Sequence, residues 1–309
     1  MSSWVRDGVE DVRKIARGWR WGHRALVPRS AEEFVPAEPR AVFATEWART
    51  PVAQTTRGVV QRGMLEPLFR SQVRTRVEGL DVFTGLRGPV IFVANHASHL
   101  DTPLVLLSLP EEWRRRTAVA AAADYFFDTW WRAVGSAMVF NTFPIDRRGG
   151  AMATTPGDLL AVGWSLVVYP EGTRSHDGWV GRFQHGAAYL AVRHRVPVVP
   201  VAHRGTFGAM PRGRGWPAPG RRQLSIRFGE PVRPDDDDTP RSFAPRIRDA
   251  VSTLLDEDRS TWWEARRRAA QGRTPDPSGP DVATWRRVWE QSAPVPTDAE
   301  QRTRAWRRG

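Results

Sequence analysis

Beyond residue 78 the chain alternates short apolar runs, rich in β-branched residues, with stretches of helical periodicity. The apolar runs lie at residues 90–94, 117–122, 139–145, 166–169, 196–202 and 224–228. The helical stretches between them lie at residues 102–109, 125–134, 156–162 and 187–195. This alternation predicts an α/β domain with a mostly parallel sheet flanked by helices, in which the loops beyond the strand ends carry the active residues.

The segments on both sides of this domain have a different pattern. Residues 3–20 place apolar side chains at helical spacing between charged ones, which predicts an amphipathic helix. Residues 42–73 show helical periodicity that is interrupted near two prolines, and a further helix is predicted over residues 240–258. We therefore divide the chain into an N-terminal amphipathic helical extension (1–78), a central domain (79–258) and an Arg/Trp-rich C-terminal extension (259–309).

Composition narrows the classes of partner and of chemistry. The chain has 309 residues, 40% of them hydrophobic, which is enough to form a large core. The formal net charge of +12 favours acidic partners, whether nucleic acid, anionic lipid headgroups or phosphorylated substrates. The absence of cysteine excludes disulfides, thiolate catalysis and cysteine-based zinc sites. Four successive aspartates at 235–238 are typical of a solvated connector, so no metal site is predicted.

Two features of the sequence bear on membranes. Residues 1–30 contain no continuous apolar stretch, which argues against a secretory signal. The longest apolar runs, such as residues 118–123, fall far short of the roughly 18 residues that a spanning helix needs. We therefore expect a cytoplasmic protein that is soluble or lies on a membrane surface.

Residues 95–101, with the sequence Asn-His-Ala-Ser-His-Leu-Asp, are the most informative stretch for function, because they connect a predicted strand to a predicted helix. Such a loop can hold the His96 imidazole in the open with the Asp101 carboxylate beside it, which is the geometry of a general base. By itself, this spacing also fits a loop histidine that bonds to a neighbour. His99 competes for the role of base. Ser98 lacks the Gly-x-Ser-x-Gly context of a hydrolase nucleophile and is expected to make a loop hydrogen bond.

Three further blocks follow in order, at residues 143–147 (Phe-Pro-Ile-Asp-Arg), 169–175 (Tyr-Pro-Glu-Gly-Thr-Arg-Ser) and 196–201 (Val-Pro-Val-Val-Pro-Val). Together with the first motif they resemble the four blocks of the glycerolipid acyltransferase family, which includes 1-acylglycerol-3-phosphate acyltransferase. The resemblance covers roughly residues 80–230. It implies a glycerol-3-phosphate acyltransferase-like fold for the central domain, with the helical extensions added at both ends.

The resemblance also implies a reaction. His96 removes the proton of an acceptor hydroxyl as that oxygen attacks an acyl thioester, and Asp101 holds the imidazole in the required tautomer. This reaction needs no covalent acyl-enzyme, which suits a chain without cysteine. The implied acyl donor is acyl-CoA or acyl carrier protein, and no further cofactor is expected.

The matching positions of the other blocks are expected to bind substrate. Arg147 and Arg174 would grip the acceptor phosphate through their guanidinium groups. Gly172 would allow close approach of the backbone, and Glu171 would organise the site. Pro200 would lie on the acyl-donor side, although a buried core strand explains it almost as well. The expected substrate-binding residues are Asn95, Arg147, Glu171, Gly172, Thr173, Arg174 and Pro200.

The sequence departs from the family pattern at two places. Asn141 stands where the second block commonly has glycine, and residues 183–186 lack the lysine that often follows the phenylalanine. The favoured reaction is acylation of 1-acyl-glycerol 3-phosphate to phosphatidic acid. The missing cation keeps other acceptors open: glycerol 3-phosphate, another lysophospholipid or a lipid alcohol. An alternative from another class is a non-catalytic protein of the same fold that binds membranes or acyl thioesters.

The chain has 15 tryptophans, and many lie outside the central domain, mixed with arginine. This mixture suits a membrane interface, where indole rests at headgroup depth and guanidinium meets anionic lipid. The alternative is that these helices pack on the core through their tryptophans. No nucleic-acid partner is expected, since no motif supports one. We therefore predict a peripheral enzyme on the inner face of the cell membrane. The flanking tryptophans are Trp4, Trp19, Trp21, Trp47, Trp262, Trp263, Trp285, Trp289 and Trp306.

Overall fold

A seven-stranded sheet forms the centre of the computed structural model, which describes residues 45–122, 130–145 and 155–296. The predicted helix at residues 3–20 and the start of the one at 125–134 lie outside these ranges. The strands are β1 (Val73–Glu78), β2 (Ile91–Ala94), β3 (Thr117–Ala122), β4 (Thr142–Ile145), β5 (Ser165–Val168), β6 (Val198–Arg204) and β7 (Arg222–Phe228).

The strands are arranged in the order β1-β7-β6-β2-β5-β3-β4. Among these described strands the pair β6 and β7 is antiparallel, and every other neighbouring pair is parallel. The predicted α/β class with a mostly parallel sheet is therefore confirmed. Because β2, β5 and β6 run in one direction, their carboxyl ends meet at the same edge of the sheet, where the loops of an α/β fold gather functional residues.

Helices cover both faces of the sheet. Ile91 and Val93 of β2 pack into one apolar cluster, whereas Phe92 of the same strand packs into the other. A strand that is buried on both faces needs a continuous apolar run, which is the pattern that β2 shows. The helices are α1 (Pro51–Val60), α2 (Glu66–Gln72), α3 (Asp101–Ser108), α4 (Glu111–Arg115), α5 (Trp130–Phe140), α6 (Pro156–Ala161), α7 (Gly186–His194), α8 (Thr206–Ala209), α9 (Pro240–Arg259), α10 (Trp262–Ala270) and α11 (Thr284–Ser292).

A π-helical turn, Gln61–Leu65, joins α1 to α2. Two buried side chains of this segment satisfy the C-terminal carbonyls of α5. Arg57 donates from Nε to the Met138 carbonyl at 2.9 Å, and Gln61 donates from Nε2 to the Val139 carbonyl at 2.7 Å. The last carbonyls of a helix have no partner within it, so these bonds fix the end of α5 and the start of β4.

Asn141 lies between α5 and β4 with a φ of 53°, in the left-handed region. Its buried amide donates to the Thr117 carbonyl at 3.0 Å. Glycine adopts this conformation most easily, and asparagine is the next most tolerant residue. The departure from the family pattern at this position therefore preserves the backbone conformation that glycine would supply.

The structure contains strands at all six positions predicted from the apolar runs, and one more at the edge. The additional strand, β1, alternates arginine with apolar and polar residues and pairs along its length with β7. Its Arg74 and Arg76 follow the period of two, but this short run has little apolar character and directly follows a helix, so the apolar runs did not reveal it. The predicted boundary at residues 78 and 79 follows directly after β1, and the three-part division of the chain stays a prediction.

The C-terminal extension contacts the central domain in its described part, which ends at residue 296. Arg287 of α11 donates from Nε to Asp177 Oδ2 at 2.6 Å, and the Val180 N–H donates to the Pro277 carbonyl at 3.1 Å. Ala265 of α10 is fully buried. The described part of the extension therefore packs against the central domain, although four of its tryptophans remain exposed, as described below.

Asp258, near the end of α9, connects this helix to the sheet through buried ion pairs. Its carboxylate lies 2.8 Å from Arg76 of β1 and 2.7 Å from Arg204 of β6. Burial alone would raise the pKa of Asp258, but Arg204, Arg227 and Arg76 outweigh burial and lower it. The carboxylate is therefore ionised and holds three strands against α9.

We expect Asp258→Asn to lower the free energy of unfolding by about 3 kcal/mol, because it leaves buried guanidinium groups without their charge partner. Urea unfolding at pH 7 measures this loss. Asp276→Asn removes the carboxylate of an exposed pair with Arg248, at 2.8 Å, and should cost less than about 1 kcal/mol. Equal losses in the two variants would contradict the structural role of Asp258.

Candidate active site

The loops that follow β2 and β5 leave the sheet side by side, because Val93 pairs with Val168. The first loop carries His96, and the second begins with Tyr169. The Ser175 N–H donates to the His96 carbonyl at 2.8 Å, so the two loops are bonded to each other as well as to their strands. The first and third sequence blocks therefore form one site at the carboxyl edge of the sheet.

Asp101 is the first residue of α3, and its side chain is fully buried. Its Oδ2 atom lies 2.8 Å from His96 Nδ1 and accepts the N–H groups of Ala97 and Ser98, both at 2.7 Å. Burial alone would raise the pKa of Asp101, but the imidazoles of His203 and His96 and the Ser98 N–H lower it below its ordinary value. The carboxylate is therefore an anion, further favoured by its position at a helix N-terminus.

This anion determines the tautomer of His96. A carboxylate at 2.8 Å requires a proton on Nδ1, which leaves Nε2 with its lone pair. The His96 side chain is 18% exposed, so solvent reaches it, whereas Asp101 is sealed beneath. The ring stacks on Tyr169 at 4.0 Å between centroids with an interplanar angle of 17°. His96 is thus oriented to accept a proton at Nε2, as a general base does.

Glu171 holds the backbone of His96 in place. Its Oε1 accepts the His96 N–H at 2.6 Å, and its Oε2 accepts the Gly181 N–H at 2.7 Å. Burial raises the pKa of Glu171 to about 7, against the opposing effect of these two donors. Glu171 therefore joins the loop of His96 to the loop around Gly181, and its predicted role in substrate binding stays a prediction.

Asn95 is engaged with the neighbouring strand. Its Nδ2 donates to the His203 carbonyl at 3.1 Å, and its Oδ1 accepts the His203 N–H at 3.0 Å. This two-point contact extends the pairing of β2 with β6 by one residue beyond Ala94. The side chain is buried, so the observed role of Asn95 is to anchor the loop, and its predicted contact with substrate stays a prediction.

The remaining residues of the third block are more accessible. Gly172 has a φ of 70°, the left-handed conformation that glycine adopts without strain. Within the described ranges, no atom beyond its two chain neighbours lies within 4 Å of the position of a Cβ. Thr173 is exposed and Arg174 is half-buried. Burial lowers the pKa of His99 to about 4, and the charges of Arg174 and His96 add to this effect. His99 is therefore neutral near pH 7 and lies close to Arg174.

Two predicted residues are not brought to His96 by the described structure. Pro200 lies inside β6, opposite Val93, where its ring and the side chain of Leu254 of α9 both lie close to Gly229. This is the environment of a buried core strand. Arg147 lies outside the described residues. The roles of both in substrate binding stay predictions.

Two features of the site were not assigned from the sequence. Tyr169 belongs to the third block, but its ring contact with His96 and its 3.1 Å contact with Thr102 Oγ1 depend on the fold. His203 lies under the site in β6, with no local motif around it. Ser98 makes the loop hydrogen bond expected of it, from Oγ to the Met210 carbonyl at 2.7 Å.

The fold and the site together define an α/β protein with a buried aspartate bonded to a partly exposed histidine at the carboxyl edge of a mostly parallel sheet. The Acyltransferase family model matches residues 74–204, which include this site. The crystal structure of the 1-acyl-sn-glycerophosphate (LPA) acyltransferase PlsC from Thermotoga maritima superposes with a TM-score of 0.52 at 26% identity, over 70% of this chain and 84% of that one.

Sequence relatives agree with the structural match. The 1-acyl-sn-glycerol-3-phosphate acyltransferase alpha of Mus musculus is 30% identical over 206 residues, which is 63% of this chain and 68% of that protein. The chloroplastic 1-acyl-sn-glycerol-3-phosphate acyltransferase BAT2 of Brassica napus is 31% identical over 147 residues, 45% of this chain and 40% of that protein. The chain spans about two-fifths of the length of such chloroplastic relatives. The chain belongs to the glycerolipid acyltransferase family.

The raised pKa of Glu171 predicts a pH dependence of stability. Between its ordinary value of 4.5 and about 7, the unfolded chain has released this proton while the folded protein retains it, so stability falls as pH rises through this window. At about 1.4 kcal/mol per pH unit, the loss from this group is about 3 kcal/mol. In Glu171→Gln this contribution is absent, because an amide does not titrate.

Urea unfolding of the wild type and of Glu171→Gln at several pH values between 4.5 and 7 measures the difference in slope. Glu112→Gln, at an exposed position on α4, is the matched control and should follow the wild-type slope. Parallel curves for the wild type and Glu171→Gln would show that Glu171 does not hold its proton in the folded protein.

Proposed function

We propose that the protein transfers a fatty acyl chain from the thioester of acyl-CoA or acyl carrier protein to the free hydroxyl of 1-acyl-glycerol 3-phosphate, giving phosphatidic acid. The observation that carries this proposal is the contact of His96 with the buried Asp101 carboxylate inside the segment that matches the family. The names of the relatives and of the matching crystal structure support the acceptor.

The proposed reaction follows from the tautomer of His96. Nε2 of His96 takes the proton of the acceptor hydroxyl while the hydroxyl oxygen attacks the thioester carbonyl. The carbon–sulfur bond then breaks, a carbon–oxygen ester bond has formed, and the thiolate receives the proton from His96. Asp101 stabilises the positive charge that the imidazole carries between these two proton transfers.

Other residues fix the geometry of this step. Glu171 holds the His96 backbone, and the Tyr169 ring covers one face of the imidazole. Rigid support of this kind keeps the base within reach of the proton, which is a large part of its contribution. We propose that Arg174, with Arg147, binds the acceptor phosphate. Their charges would replace the cation that residues 183–186 lack.

We also propose that the protein acts as a peripheral enzyme on the inner, cytoplasmic face of the cell membrane, with membrane lipids as partners. In the described ranges no helix combines the length and the apolar character that crossing a bilayer requires. The C-terminal extension nevertheless exposes indole rings to solvent. Trp285 and Trp289, one turn apart on α11, are 72% and 69% exposed, and Trp262 and Trp263 of α10 are 54% and 72% exposed.

A second exposed apolar surface lies on the helical segment of residues 51–72. Within this segment the π-helical turn joins α1 to α2, so the helical backbone continues from one helix to the next. Exposed indole and aliphatic groups with arginines nearby suit the interface of an anionic bilayer. The side chains are Val52, Val59, Met64 and Leu68, each between 44% and 77% exposed.

His96→Ala should lower the rate of acyl transfer by about 10²–10⁴-fold, because it removes the general base. The measurement is release of free CoA from a long-chain acyl-CoA in the presence of lipid vesicles and 1-acyl-glycerol 3-phosphate. His99→Ala, which removes the competing histidine, should cost far less. His185→Ala, at an exposed position, should retain wild-type activity.

The acceptor is tested in the same assay with glycerol 3-phosphate, other lysophospholipids and a lipid alcohol in place of 1-acyl-glycerol 3-phosphate. Preference for a phosphate-free alcohol would overturn the proposed acceptor but not the acyl transfer. If the wild-type protein releases no CoA with any acceptor of the panel, a non-catalytic protein that binds membranes or acyl thioesters becomes the better description.

Membrane attachment predicts that Trp285→Ala/Trp289→Ala weakens binding to anionic vesicles by about tenfold or more, since each buried large apolar side chain contributes about 1.5–3 kcal/mol. Sedimentation with vesicles measures the bound fraction. Tyr189→Ala, at an exposed aromatic residue of α7, is the control and should bind as the wild type does. Unchanged binding of the double variant would remove α11 from the membrane contact.

A further inference from the structure

His203 lies in β6 directly beneath the His96–Asp101 pair. Its side chain is fully buried, and its Nδ1 atom lies 3.6 Å from Asp101 Oδ1. Asp101 therefore stands between two imidazoles, with His96 next to Oδ2 and His203 next to Oδ1. The reaction described above uses the first imidazole and gives no role to the second.

The two oxygens of the Asp101 carboxylate differ sharply in their partners. Oδ2 accepts three N–H groups at 2.7–2.8 Å. Oδ1 has no hydrogen bond to any part of the chain that the structure describes, and the same is true of both ring nitrogens of His203. Leaving a buried polar atom without a partner is unfavourable. Because Asp101 Oδ1 and His203 Nδ1 face each other, a hydrogen bond between them would give both atoms a partner.

The remaining separation is small. Shortening the 3.6 Å distance to about 3 Å would make an ordinary N–H to oxygen hydrogen bond. The backbone of His203 is already fixed by its two bonds to the Asn95 amide, so rotation of its side chain would be sufficient. One residue thus anchors the loop of His96 through its main chain and faces the partner of His96 through its ring.

We propose that His203 is a positioning residue for the catalytic base: its Nδ1–H donates to Asp101 Oδ1 and so fixes the plane of the carboxylate that orients His96. This inference rests on the proposed function of His96. A second imidazole donor also draws charge from the carboxylate. Less of the negative charge of Asp101 then acts on the His96 ring.

The surroundings of His203 favour a neutral ring with one N–H. Burial lowers its pKa, and the nearby Asp101 carboxylate opposes this effect. Asp101 and His96 are the titratable groups that act on it from the adjoining loop. On the neighbouring strand β7, His203 pairs with the apolar residue Ile226. The next residue of β6, Arg204, has its guanidinium group paired with Asp258. A neutral imidazole donor is sufficient for the proposed bond.

Two substitutions separate this role from simple filling of space. Asparagine carries its amide nitrogen at the same distance from Cβ as histidine carries Nδ1, so His203→Asn retains a donor to Asp101. Leucine places a methyl group there, so His203→Leu fills part of the space without a donor. We would measure kcat, and KM for the acyl donor and the acceptor, at pH values from 5 to 9 in the presence of lipid vesicles. Both variants are compared with the wild-type protein.

We expect His203→Leu to lower kcat by about tenfold, with both KM values within about twofold of the wild type. The acid limb of its pH–rate profile should move to higher pH by about half a unit or more. His203→Asn should recover most of the activity and the wild-type profile. An unmoved acid limb in His203→Leu, or an equal defect in His203→Asn, would overturn the proposal.

A measurement on the wild-type protein avoids dependence on folding of the variants. Long-range ¹H–¹⁵N spectra of the imidazole rings report which nitrogen carries the proton, and the His203 signals are those absent from His203→Asn or, failing that, identified by sequential assignment. We expect the Nδ1–H tautomer, and the Nε2–H tautomer would overturn the inference. The tautomer measurement needs no substrate. If the wild-type protein fails to release CoA, the proposed function is refuted, but the tautomer of His203 is still determined independently.

Discussion

The buried carboxylate of Asp101 is the group on which the geometry of the site depends. An isolated ionised group is very unfavourable in a protein interior, and this one is stabilised by three N–H donors on one oxygen and by the N-terminus of α3. Because two of the donors are backbone groups of residues 97 and 98, the anion shapes the loop that carries His96. Loop conformation and imidazole tautomer therefore have the same cause.

The sheet supplies the rigidity that this arrangement needs. β2 has partners on both sides, β5 and β6, and each partner contributes a contact to the loop of His96. From the side of β5 come the Tyr169 ring and the Glu171 carboxylate. From the side of β6, the His203 backbone holds the Asn95 amide. His96 is thus fixed through its ring, its own main chain and the residue before it.

Sequence reasoning was most successful where the signal is local. The runs of apolar residues predict β2 to β7, and the spacing of His96 and Asp101 within one loop predicts their contact. The bond from the His96 N–H to Glu171 joins residues 75 positions apart, and His203 is 102 positions from Asp101. No local pattern marks such pairs, because strand order brings them together. β1 was missed because an edge strand can carry arginines and still pair fully with its neighbour.

The C-terminal extension shows how a peripheral segment is connected to the chemistry. Arg287 of α11, which lies between the exposed Trp285 and Trp289, binds Asp177 of the loop that leads to Gly181. The Gly181 N–H donates to Glu171, and Glu171 accepts the His96 N–H. A short chain of bonds therefore connects the tryptophans proposed to enter the bilayer with the loop of the base. Because its links are direct contacts, a lipid surface against α11 would lie on an element bonded to the site at which we propose that the lipid acceptor binds.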